Sequence, residues 1–135
     1  MDVMTSLQGL PGFLLYFGLG IAAMALFLAL YMAVTPHHEF KLIEAGNKAA
    51  AISLGGAVLG FTLPLASAAT NSVSLLDMAV WSLVALVAQL VVFVIASLLM
   101  KGLSKRIEAG DMAAAVTLAT GSLAIGVLNA ASMSY

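Results

Sequence analysis

Four stretches of this chain run for a helix-length span without a single Lys, Arg, Asp or Glu: about Pro11 to Thr35, Ala49 to Ala69, Met78 to Met100 and Met112 to Met133. A helix of ~20 residues at ~1.5 Å rise per residue matches a hydrocarbon core of ~30 Å. In lipid the backbone must satisfy its own hydrogen bonds, and a helix does so within one segment. The chain therefore reads as an all-α integral membrane protein with four transmembrane helices. Of its 135 residues 63% are hydrophobic and 8% charged, whereas roughly a quarter are charged in a soluble domain. Residues Met1 to Leu10 carry no Lys or Arg, so the first apolar segment is expected to stay in the protein rather than act as a cleaved signal. There is no cysteine, which excludes disulfides, thiolate metal sites, thiol nucleophiles and lipid-modified Cys.

Residues 43 to 54, IEAGNKAAAISL, recur 64 positions later as residues 107 to 118, IEAGDMAAAVTL. Eight of those twelve positions are identical, and Asn47 with Asp111, Ile52 with Val116 and Ser53 with Thr117 are conservative. Each copy starts in a charged loop and continues into an apolar segment. The chain is thus expected to be a doubled unit: one domain over 1–135, with repeat one at about 11–70 and repeat two at about 76–135. Each repeat is a helix pair, so both halves enter the membrane in the same direction as parallel repeats.

All five basic residues lie in two loops, Lys41 and Lys48 in one and Lys101, Lys105 and Arg106 in the other. Basic residues next to membrane helices are retained in the cytoplasm. Both termini are then expected outside and both repeat-bearing loops inside. In those loops Asn47 and Asp111 are placed as N-caps of the helices that follow, with Gly46 and Gly110 making the turns. Phe40 with Ile43, and Leu103 with Ile107, have the spacing of short helices lying on the membrane surface. The five basic side chains read either as topology anchors or as contacts to anionic lipid or a peripheral cytoplasmic protein. His37, His38 and Glu39 after Pro36 read as an interfacial helix stop, since adjacent residues of a helix point in different directions and no metal-ligand spacing is present.

Within the apolar segments Gln89 stands near the middle of the third helix, where an unpartnered amide is costly. Thr62, Ser67, Ser122 and Asn129 are other polar positions. Gly56 and Gly60 form a GxxxG pair that permits close helix approach, and Pro64 removes a hydrogen bond to the Gly60 carbonyl, which predicts a kink there. Small and polar stripes, Ser53, Gly56, Gly60 and Ser67 on the second helix and Ala115, Ala119, Ser122, Gly126 and Asn129 on the fourth, put these two helices at the centre with the first and third outside. The set Gly56, Gly60, Thr62, Pro64, Ser67, Gln89, Ser122, Gly126 and Asn129 is either helix packing or the lining of a solute path. The methionines and Trp81 read as packing and interface residues.

The run GNKAAAISLGGAVLGFTLPLASA (Gly46 to Ala68), then Ser74, Asp77, Trp81 and Gln89, then IEAGDMAAA (Ile107 to Ala115) and LNAASM (Leu128 to Met133), resembles the YjfL family, also called domain of unknown function 350. The resemblance covers about Phe13 to Tyr135. It implies a small multipass protein of the bacterial inner membrane, with some members encoded near membrane-stress genes, and it carries over no biochemical role.

Two functions fit. One is a non-enzymatic, homo-oligomeric membrane component that helps organise or protect the envelope. The other is a small ion channel or passive permease. Catalysis is not expected, since the apolar segments offer no acid, base or nucleophile of the usual kinds. No cofactor, metal or nucleic acid is expected; the expected partners are the lipid bilayer, further copies of the chain and a peripheral cytoplasmic protein.

Overall fold

A computed structural model describes residues 2–135. Seven helices follow in order: α1 (Val3–Leu7), α2 (Leu10–Val34), α3 (Glu39–Glu44), α4 (Lys48–Asn71), α5 (Leu75–Leu99), α6 (Leu103–Glu108) and α7 (Met112–Ser132). α2, α4, α5 and α7 are long and apolar enough to cross a membrane. Their ends fall within a few residues of the uncharged stretches, because the transition from apolar to charged residues is also where caps and glycines stop each helix. α1 is a short addition that the sequence reading left out. Its Asp2 side chain accepts from the Met4 N–H, which starts a turn ahead of Pro11 at the beginning of α2.

α4 is the central element. Its buried face is Ala49, Ala50, Ser53, Leu54, Gly56, Ala57, Gly60, Phe61, Pro64, Leu65 and Ala68, the three-and-four spacing of one helix side. α7 supplies the matching face with Ala114, Ala115, Leu118, Ala119, Ser122 and Gly126, and the α4–α7 contact is the most extensive between any two helices. α5 packs against both. α2 buries only Phe27 and Tyr31 and is attached by an aromatic column. Phe27 stacks on Phe61 of α4 at 4.7 Å and neighbours Tyr31 at 5.5 Å, and Tyr31 meets the edge of Phe93 of α5 at 5.8 Å. Such pairs favour offset or edge geometry and add to area burial. α4 runs unbroken through Pro64.

The short helices of the two basic loops, α3 and α6, differ in what they bury. On α6 the apolar pair Leu103 and Ile107 turns into the protein core, 2% and 0% exposed. On α3 Phe40 is exposed, and Glu39 is buried. The reason lies just upstream. Thr35 precedes Pro36 and is extended (φ −79°, ψ 129°), as the proline ring demands of its predecessor. His38 is extended as well (φ −92°, ψ 91°). On extended backbone alternate residues share a side, so Thr35, His37 and Glu39 are buried while Pro36, His38 and Phe40 are exposed.

Candidate functional site

Two arrangements of polar groups lie inside the protein. The first is the seam where α4, α5 and α7 meet. A Cβ added at Gly56 would stand 2.5 Å from both the Cα and the Cβ of Ala119, and one added at Gly126 would collide with the Gly60 carbonyl oxygen and lie 2.8 Å from the Gly60 Cα. Backbone meets backbone here, which is the geometry that small residues permit between membrane helices. The Gly60 carbonyl, whose helical donor Pro64 has removed, thus lies against Gly126 of α7. It is closed off by protein.

Gln89 fills the third side of this seam. It is 1% exposed, and its Nε2 donates to the Ser122 carbonyl at 3.1 Å. A Cβ at Gly60 would stand 3.0 Å from that same Nε2. The structure therefore brings Gly60, Gln89, Ser122 and Gly126 together. The remaining predicted residues lie apart. Thr62 donates to the Val58 carbonyl of its own helix at 2.7 Å and lines a groove between α2 and α4 with Phe17, Ile21 and Met24. Ser67 bonds the Tyr135 hydroxyl at 2.6 Å at the far end of the bundle. Asn129 is half-buried and its Nδ2 has no partner among the described residues.

The second arrangement sits at the end carrying the basic loops, and the sequence reading missed it. Thr35 and Glu39 are linked by a short hydrogen bond, Thr35 Oγ1 donating to Glu39 Oε1. His37 Nε2 lies 3.4 Å from that carboxylate oxygen, and His37 Nδ1 is 3.0 Å from Ser104 Oγ of α6. His37 and Glu39 are each 1% exposed. Burial holds the His37 imidazole below its ordinary range, against the opposing pull of Glu39 and Glu108 and with a smaller push from His38. Tyr31 Oη, His37 Nε2 and Glu39 Oε2 have no hydrogen-bond partner among the described residues. The desolvated imidazole and the carboxylate are thus enclosed side by side, with Ser104 and Thr35 as their hydrogen-bond partners. No group of three or more His, Cys, Asp or Glu comes together among the described residues. The signal that could have found the pair was the alternation around Pro36, which calls for a period of two.

The loops are tied to each other through the N-caps. Asn47 Oδ1 accepts from the Ala50 N–H at 3.0 Å, and Asp111 Oδ1 from the Ala114 N–H at 3.2 Å. Their one chemical difference is used. The Asn47 amide also donates to the carbonyls of Ile107 and Glu108, at 2.9 and 3.1 Å, which a carboxylate could not do. Asp111 instead accepts from Arg106 Nε at 2.7 Å, and that bond holds its carboxyl below the usual range. Gly46 and Gly110 adopt φ of +90° and +83°, conformations that favour glycine. Lys41, Lys48, Lys101, Lys105 and Arg106 are all exposed.

The sequence profile of the family described as Domain of Unknown Function (DUF350) matches residues 4–133. Two curated relatives, the UPF0719 inner membrane protein YjfL of Escherichia coli strain K12 and that of Escherichia coli O157:H7, are each 42% identical over 129 residues, 96% of this chain and 98% of theirs. No solved structure matches.

Proposed function

The chain belongs to the DUF350 family, and from that premise we propose that it is a non-enzymatic component of the bacterial inner membrane that assembles with copies of itself and serves the envelope as a structural or membrane-stress element. The observation that carries this reading is the fate of Gln89. Its amide is spent on the Ser122 carbonyl inside a seam of touching backbones, where a permeating solute would have to part α4 from α7. Meanwhile the outward faces of α2 and α5, including Phe13, Phe17, Ile21, Val87, Val94 and Leu98, are exposed and apolar. Those faces are free for lipid or for further copies.

Within this reading the chain is two parallel helix-pair repeats. In its support, α3 and α6 are both six residues long and start 64 positions apart, as do α4 and α7. Both basic loops lie in the cytoplasm and both termini outside, on the strength of the charge distribution. A Val73→Cys variant should then react with an impermeant maleimide in intact cells, while Lys105→Cys should react only after lysis. The opposite pattern would invert the topology. Both positions are exposed, so labelling reports the side of the membrane.

A small channel or passive permease is the competing reading, favoured by the unpartnered Gln89 Oε1 and Asn129 Nδ2. Gln89→Leu separates the two. As packing, the amide contributes ~0.6 to 2 kcal/mol, and proteoliposomes of wild-type and variant protein should both be tight to small ions and solutes, with oligomers that survive crosslinking. Flux through wild-type protein that Gln89→Leu abolishes, with assembly intact, would replace the structural reading by the channel.

A further inference from the structure

An apolar groove lies between α5 and α7, and its length, its chemistry and its mouth all match one molecule. Ala88, Val92 and Ala96 of α5 and Thr117, Gly121 and Ile125 of α7 are among the residues that enclose a volume of about 660 Å³. This is within the ~300–1,000 Å³ of pockets that hold small ligands. Along α5 it extends from Met100 back to Ala88, a run of ~18 Å at 1.5 Å per residue. Half of a ~30 Å hydrocarbon core is ~15 Å. The groove is therefore one leaflet deep, opening at the basic-loop end and closing near the level of Gln89.

Its walls offer no free polar group. Thr117, the polar residue of the lining, donates its hydroxyl to the Ala113 carbonyl at 2.8 Å. At the mouth the chain leaves α5 at Met100, a lining residue, and turns through Lys101 and Gly102 into α6 and on to α7. Lys101 thus directly follows the groove's last lining residue on α5, and Lys105 and Arg106 follow on α6 at the same end of the bundle. Arg106 Nε is engaged by Asp111, whereas Lys101 and Lys105 are exposed and have no ion-pair partner among the described residues. A transmembrane helix from a second copy would need a cleft two leaflets long, ~30 Å, where this groove runs ~18 Å.

We propose that this groove is a binding site for an anionic phospholipid of the leaflet on the basic-loop side, one acyl chain lying between α5 and α7 and the phosphate headgroup held by Lys101 and Lys105. Charge complementarity selects the headgroup, and apolar burial of successive methylenes holds the chain. The site is complete within one copy of the chain, so it stands whether or not copies assemble.

Gly121 supplies the means of testing it, because a Cβ added there meets nothing within 4 Å. A large side chain at this position projects into open space and should leave the fold intact. Purified full-length protein would be loaded with dioleoyl phosphatidylglycerol or dioleoyl phosphatidylcholine and its retained lipid counted by native mass spectrometry, with thermal unfolding checking each variant. Wild-type protein should retain phosphatidylglycerol in preference. Lys101→Gln with Lys105→Gln should lower that preference by about fivefold per lysine, about twenty-five-fold together, and leave phosphatidylcholine retention unchanged. Gly121→Phe should lose both lipids while melting as wild type. Undiminished phosphatidylglycerol retention in Gly121→Phe would remove the acyl chain from the groove, and an unchanged preference in the double lysine variant would remove the headgroup contact. A Gly121→Phe protein that loses self-association but keeps its lipid would show that a second copy occupies the groove, overturning the proposal.

Discussion

Gly126→Leu should abolish the folded bundle. The side chain would start from a Cβ that already overlaps the Gly60 carbonyl and lies 2.8 Å from its Cα, so no rotamer change can relieve the clash. α7 would have to leave α4. Overpacking that side chains can absorb costs ~1–3 kcal/mol, and here the neighbours are backbone atoms, which places the cost above that range. Gly60→Leu should behave alike, since its Cβ would meet the Ser122 carbonyl. Gly55→Leu is the control, being on the same helix with nothing within 4 Å of its Cβ. Thermal unfolding in mild detergent with size-exclusion profiles measures all three. A Gly126→Leu protein that stays monodisperse and melts with wild type would mean that α4 and α7 do not touch through their glycines.

That contact was legible in the sequence, and the reason is physical. Between membrane helices the hydrophobic effect discriminates little, so close approach depends on residues without bulk, and glycines spaced by four are visible by inspection. The four spans were legible for a similar reason, because the bilayer sets one length scale. The chemistry was much less so. Period-based reasoning treated His37, His38 and Glu39 as helical and found no shared face, yet Pro36 ends α2 and leaves an extended segment in which His37 and Glu39 share a side. The pair's partners, Ser104 and Phe93, come from distant parts of the chain, and no local pattern announces them. The same holds for Asn47. Its capping role follows from its place before an alanine-rich helix, but its bonds to Ile107 and Glu108 join the two loops across 60 and 61 positions. Thr62, Ser67 and Asn129 formed one candidate set with Gln89 in the sequence, but Thr62 bonds within its own helix and Ser67 lies at the far end of the bundle beside Tyr135.

Acidification should loosen the end of the bundle where α3 and α6 meet. Burial keeps the His37 pKa below its ordinary value of 6.5, so the folded protein binds fewer protons there than the unfolded chain does. Its contribution is complete above about pH 6.5 and fades as the pH falls from there through the lower, folded-state value, with a slope of at most about 1.4 kcal/mol per pH unit for one proton. Wild-type protein should therefore melt lower at pH 5.5 than at pH 7.5, and His37→Gln should be flatter across that window even if it starts lower. An equal slope in His37→Gln would assign the acid sensitivity to another group. Glu39→Ala tests the other half of the pair. It deletes the acceptor of Thr35 Oγ1 and the neighbour of His37 Nε2 in a place 1% exposed, and stranding buried partners of a carboxylate costs about 3 kcal/mol. The loss should appear at neutral pH, where a surface carboxylate would cost nothing measurable. Because Thr35 caps α2 while Ser104 belongs to α6, the cluster joins the first half of the chain to the second at one end, as Asn47 does beside it. A Glu39→Ala protein should accordingly expose α6 to proteolysis after Lys101 or Lys105 while α4 and α7 stay paired through their glycines.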